Sequence, residues 1–142
     1  MNNELLIYCD GGARGNPGPG AIGVIFKNTK GETVKRISKT IGFVTNNEAE
    51  YRAIIEALST LKTFTRPLTT TRVYLDSRLV VEQLNGRFRT KEPRLREFIL
   101  KIRILEAEIG SNIQYCSIKR EQNQDADRLV NQALDGDNSY SV

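Results

Sequence analysis

The period of the hydrophobic pattern changes at a few points along this chain, and those changes divide it into elements. The apolar run Leu5-Leu6-Ile7-Tyr8 predicts a strand over Glu4–Cys9, ending in Asp10. Ala21–Lys27 and Thr33–Phe43 predict two more strands, joined around Asn28-Thr29-Lys30-Gly31, a hairpin sequence. From Asn46 the period becomes helical. Ala49, Ala53, Ile54, Ala57, Leu58 and Leu61 share one face, so a helix is expected to about Phe64, with Pro67 in the loop beyond. Val73-Tyr74-Leu75 predicts a short strand over Arg72–Leu75 that ends at Asp76. A helix then starts with Ser77 and stops at Asn85-Gly86. Pro93 permits another helix from Arg94, with Leu95, Phe98, Ile99, Ile102 and Leu105 inward and Gly110 as its stop. Asn112–Ile118 predicts a fifth strand, and Asn123–Leu134 a last helix carrying Ala126, Leu129, Val130 and Ala133.

Three strands on short turns form an antiparallel meander. The two later strands return by crossovers and run parallel to the first. The expected fold class is therefore α/β, with a mixed five-stranded sheet, three strands antiparallel and two parallel, flanked by helices. One domain over residues 1–142 is expected, with 135–142 as a flexible tail.

Composition changes this picture in two ways. The chain has no histidine, which removes the usual general base and leaves carboxylates and metal to carry any catalysis. Net charge is only +4, but seven basic residues fall between Gly86 and Arg103 against the acids Glu92 and Glu97. A solvated helix face accounts for several of them; a surface for phosphates accounts for the clustering. Cys9 and Cys116 lie in strand-like runs without CxxC spacing and are expected as free thiols in a reducing cytoplasm. No apolar stretch is long enough to span a bilayer, and Met1-Asn2-Asn3-Glu4 lacks a signal-peptide pattern. A monomer is the default.

Four acids then stand out. Asp10 and Asp76 each follow a short apolar strand, and parallel neighbours would place both carboxylates at one edge. Glu50 and Asp127 each lie about one turn into a helix, where a carboxylate is also favoured by the helix dipole alone. A turn aspartate and helix capping remain open for each acid taken singly. Gathered together, the acids repel one another unless a cation or protons bind. An all-oxygen set without His or Cys suits Mg²⁺ or Mn²⁺.

Asp10-Gly-Gly-Ala-Arg-Gly-Asn-Pro-Gly-Pro-Gly, Thr45-Asn46-Asn47 with Glu50 three positions on, Asp76-Ser77, and Asn123-Gln-Asp-Ala-Asp127, in that order, resemble type 1 ribonuclease H over nearly the whole chain. The resemblance implies a ribonuclease H-like fold. It also implies an endonuclease that cuts the RNA strand of RNA–DNA hybrids with two Mg²⁺ ions, replaceable by Mn²⁺, leaving 5′-phosphate and 3′-hydroxyl ends. It assigns catalysis and metal binding to Asp10, Glu50, Asp76 and Asp127, and selects Glu50 over Glu48. It further assigns the backbone of Gly11, Gly12 and Ala13, with Asn16, Asn46 and Asn47, to the minor groove and its ribose 2′-hydroxyls, and Thr45 to a DNA-strand phosphate.

Two departures from the family pattern matter. The loop Lys119-Arg120-Glu121-Gln122 lacks the histidine of some members, which leaves Arg120 or Glu121 as auxiliaries. Gly86–Pro93 is too short for the basic protrusion of others, yet it keeps Arg87, Arg89 and Lys91 for backbone phosphates. Two other readings stay open: a non-catalytic hybrid-binding module, and a nuclease of the same fold acting on double-stranded RNA.

Overall fold

The computed structural model describes residues 4–64 and 69–136, together with the backbone of Tyr140 and Ser141. Pro67, 137–139 and 142 lie outside the described residues.

The chain folds as β1 (Leu5–Ala13), β2 (Gly18–Lys27), β3 (Thr33–Val44), α1 (Asn46–Leu61), β4 (Thr70–Leu75), α2 (Arg78–Leu84), α3 (Pro93–Ile109), β5 (Asn112–Ser117), a 3-10 turn (Arg120–Gln122), α4 (Gln124–Leu134) and β6 (Tyr140–Ser141). The sheet order is β5-β4-β1-β2-β3-β6. β1 pairs parallel with β4, and β4 with β5, while β2 and β3 complete the antiparallel meander. The expected five-stranded mixed sheet is thus present, with a two-residue strand added. Tyr140 and Ser141, expected within the tail, pair antiparallel with Ser38 and Ile37 of β3. Asp135, the first residue of that expected tail, is ion-paired to Arg14 at 2.6 Å.

The glycine-rich segment differs most from its expected form. The sequence reads as a strand ending at Cys9 and a loop; instead β1 runs on to Ala13 and β2 begins at Gly18. Gly11, Gly12 and Ala13 pair with Ile22, Ala21 and Gly20, so only Arg14–Pro17 remain for the turn, which contains a cis Asn16–Pro17 bond. The absent side chains serve helix packing. A Cβ on Gly11 would lie 2.2 Å from the Ala49 carbonyl oxygen of α1, and one on Gly23 would lie 2.3 Å from the Ala126 carbonyl oxygen of α4. Glycine lets both helices settle directly on the strands.

The main core lies on one side of the sheet. Leu5, Ile7 and Cys9 alternate inward from β1 and meet Tyr51, Ile54, Ala57 and Leu58 of α1, with Leu95 and Ile102 of α3. α4 lies against the other face, where Val130 and Ala133 pack on Ala21 and the buried Ser38 hydroxyl donates to the Leu129 carbonyl at 2.6 Å. α1 ends at Leu61, short of the expected Phe64, because Thr63 turns back on the Thr60 carbonyl through both its amide and its hydroxyl. Phe64 instead stacks on Phe26, ring centroids 5.4 Å apart. Both cysteines are free, and Cys9 is fully buried. Among the described residues, no helix is long and apolar enough to cross a membrane.

Candidate active site

Four elements deliver the four acids. Parallel pairing of β1 and β4 ends at Tyr8 opposite Tyr74. Asp10 and Asp76 each lie two residues further on, one pleat period past that pair, at the carboxyl end of the parallel strands. Gly11, lying against the α1 backbone at Ala49 and Glu50, brings Glu50 to the same edge. Asp127 sits in the first turn of α4, close enough to Asp10 to help raise its carboxyl. All four line one open cleft of about 540 Å³, together with Gly11, Gly12, Ala13, Asn46, Ser77 and Arg120.

Three of the four acids have a neighbour that orients them. Asn123, immediately before α4, is 1% exposed; its amide donates to the Cys9 carbonyl at 2.9 Å and to Asp76 Oδ2 at 3.3 Å. It thereby ties α4 to β1 and β4 at the point where the carboxylates meet. Ser77 caps α2 and hydrogen-bonds Glu50. Asn131 donates to Asp127 Oδ2 at 3.4 Å.

The electrostatics are those of crowded negative charge. Burial, then Asp76, Asp127 and Glu50, push the Asp10 carboxyl up to about 8. Burial and Asp76 push Glu50 up to about 7 against the opposing Ser77 hydrogen bond. Among the described residues no three of the acids converge as a ready group around a single ion. They share a cleft. The donor set is all oxygen, with surplus negative charge and no His or Cys, and it fits hard divalent cations.

The other expected positions divide into two groups. Gly11, Gly12, Ala13, Asn46 and Arg120 line the cleft. Asn16 lies just outside it and accepts from the Asn46 backbone amide at 3.0 Å, while Asn46 Oδ1 accepts from the Ala13 amide at 2.9 Å. Thr45 is the N-cap of α1 and Asn47 lies in its first turn. Glu121 is exposed in the 3-10 turn and does not line the cleft. Arg87 and Arg89 are exposed and outside it, and Arg87 is paired with Glu82 at 3.0 Å. Much of the basic segment is satisfied internally: Arg94 pairs with Glu48, Arg96 donates to the Thr90 carbonyl, and Arg103 pairs with Glu106. Arg14, which reasoning from the residues did not single out, also lines the cleft and is held by Asp135.

A family model described as reverse transcriptase-like matches residues 8–133. The ribonuclease HI of Halobacterium salinarum is 39% identical over 129 residues, covering 90% of this chain and 63% of that protein. A bifunctional protein of Mycobacterium tuberculosis is 39% identical over 133 residues, covering 93% of this chain and 36% of that protein. The chain thus spans about a third of the length of the mycobacterial relative and less than two thirds of the halobacterial one. LC11-RNase H1, isolated from compost by a metagenomic approach, matches with a TM-score of 0.90 and 44% identity, over 94% of this chain and 97% of that one. The structure of LC11-RNase H1 in complex with an RNA/DNA hybrid matches with a TM-score of 0.88 and 43% identity, over 93% and 97% of the two chains. With this extent of agreement in sequence and in fold, the chain belongs to the type 1 ribonuclease H family.

Proposed function

We propose that this chain is a ribonuclease H, which hydrolyses the RNA strand of RNA–DNA hybrids and leaves 5′-phosphate and 3′-hydroxyl ends. The observation that carries this reading is the meeting of Asp10, Glu50, Asp76 and Asp127 in one cleft of a family member. Asp10, Asp76 and Asp127 would hold one Mg²⁺ or Mn²⁺, and Asp10, Glu50 and Asp76 a second. When bound, such a pair makes a water more acidic and neutralises charge building on the scissile phosphate and the departing 3′-oxygen.

The protein's own part is to orient and to select. Asn123, Ser77 and Asn131 hold Asp76, Glu50 and Asp127 from behind, so the carboxylates meet the substrate with little freedom left to lose. Asn46, fastened to Ala13 and Asn16, offers the rest of its amide and the adjoining glycine backbone to a shallow groove bearing 2′-hydroxyls. Arg120, like Arg14, adds positive charge to the acidic cleft, where it would meet a substrate phosphate. Arg89 and Lys91, exposed and without ion pairs among the described residues, would meet backbone phosphates farther along the duplex.

The test is a strand-labelled RNA–DNA hybrid beside double-stranded RNA and double-stranded DNA, with Mg²⁺ or Mn²⁺, using wild type and Asp10→Asn. Cleavage of the hybrid RNA strand by wild type alone supports the reading. Binding without cleavage would make the chain a hybrid-binding module, and preferential cleavage of double-stranded RNA would move the substrate class.

A further inference from the structure

The first turn of α1 carries the residues placed beside the glycine-rich turn, and part of its geometry is set from α3. Thr45 Oγ1 accepts from the Glu48 amide at 3.1 Å, and Glu48 Oε1 accepts from the Thr45 amide at 3.0 Å, a reciprocal cap. The second carboxylate oxygen of Glu48 accepts from Nε of Arg94, at the start of α3. The Arg94 guanidinium lies 5.2 Å from the centre of the Phe98 ring, one turn along α3. Phe98 in turn stacks on Tyr51 of α1 at 6.3 Å. Arg94 is therefore held at two points along the α1–α3 seam while its partner closes the cap.

The Glu48 carboxylate stands two residues from Glu50, beside a surface that must approach phosphates. Arg94 cancels that charge and keeps both carboxylate oxygens occupied. Slack here would spread along the bonds from Asn46 to Ala13 and Asn16. Glu50 is anchored separately, by Ser77, and would be spared.

We infer that Arg94 is a positioning residue for substrate binding: through Glu48 it locks the first turn of α1 and holds Thr45, Asn46 and Asn47 in place for the duplex. The inference rests on the ribonuclease H reading, in which those three residues meet the hybrid.

The test uses Arg94→Ala, Arg94→Lys, Glu48→Gln and the double variant Arg94→Ala/Glu48→Gln. Gln keeps an oxygen for the Thr45 amide and drops the charge. Two readouts apply: amide hydrogen exchange at Asn47, Glu48 and Ala49 without substrate, and steady-state cleavage of the hybrid. Arg94→Ala is expected to speed exchange at those amides and raise KM severalfold, with kcat within a factor of about two. Arg94→Lys should recover most of the KM effect, and Arg94→Ala should add little in the Glu48→Gln background. Unchanged exchange or unchanged KM in Arg94→Ala overturns the inference, and so do effects of the two single variants that multiply in the double. Wild type that cuts no hybrid overturns the ribonuclease reading instead, while the exchange result still decides the tether.

Discussion

Asp10 and Asp76 stand level across two parallel strands, each two residues beyond the Tyr8–Tyr74 pair. Strand spacing of about 4.8 Å then sets their carboxylates side by side at the sheet edge. Nothing in β1 or β4 compensates for two such charges, and Glu50 and Asp127 add two more. Burial and this repulsion together raise Asp10.

Asp10→Asn is expected to abolish hydrolysis while leaving the fold intact or firmer, because it removes a carboxyl whose ionised form burial and its acidic neighbours disfavour and keeps the side-chain shape. A loss of cleavage of several orders of magnitude, with a thermal midpoint equal to or above that of wild type, is the expected pair of results. Activity assays beside thermal denaturation check it.

The pH dependence of stability without divalent cations follows from the same groups. Asp10 at about 8 and Glu50 at about 7 both lie above their unfolded values of 3.8 and 4.5. The folded state then binds protons more tightly than the unfolded one. The stability this contributes is fully present below the unfolded values and is lost as pH rises through the folded values. The thermal midpoint should fall between about pH 5 and pH 8 without divalent cation, and Asp10→Asn should flatten that fall. Mg²⁺ should restore most at the alkaline end.

Glycine 11 and glycine 12 make a paired prediction. A Cβ at Gly11 would press on the Ala49 carbonyl oxygen at 2.2 Å, whereas one at Gly12 meets nothing nearer than Val130 Cγ1 at 3.8 Å. Gly11→Ala should cost about 2 kcal/mol and depress activity by pushing α1, and Glu50 with it, away from β1. Gly12→Ala should be far milder in stability. Denaturant titration of both variants separates them.

The salt dependence of hybrid binding should distinguish two neighbouring arginines. Arg87 is engaged with Glu82, while Arg89 is exposed with no ion pair among the described residues. Arg89→Ala should reduce the slope of log affinity against log salt by about one, and Arg87→Ala by less. Binding measured across a salt series checks this.

Much of the fold was legible because its elements obey one period each. Ala53, Ile54, Ala57 and Leu58 on α1 follow the helical period, and Leu5, Ile7 and Cys9 follow the strand period, and these residues form the core. The glycine-rich stretch was misread as a loop because glycines carry no period; their pairing across β1 and β2 is decided by the helices that need them bare. Tyr140 and Ser141 offered two residues, too few for any pattern. The four carboxylates became legible from motif order, since their meeting depends on register between β1 and β4 and on the seats of α1 and α4. The roles of Asn123, Ser77 and Asn131 as hydrogen-bond partners were invisible in the letters. Asn before a helix reads as a cap, and only the fold shows the Asn123 amide turned to Cys9 and Asp76. The basic segment looked free for phosphates because Glu48, Glu82 and Glu106, which occupy Arg94, Arg87 and Arg103, come from positions outside it.

The measurement that bears most directly on the central claim is Mn²⁺ binding in the presence of a cleavage-resistant hybrid analogue, followed by paramagnetic resonance or calorimetry, in wild type and Asp10→Asn. Saturable binding in wild type that Asp10→Asn weakens by at least about tenfold is the expected result. Binding of equal affinity in both proteins would contradict it, because Asp10 would then play no part in holding the ions that the proposed reaction requires.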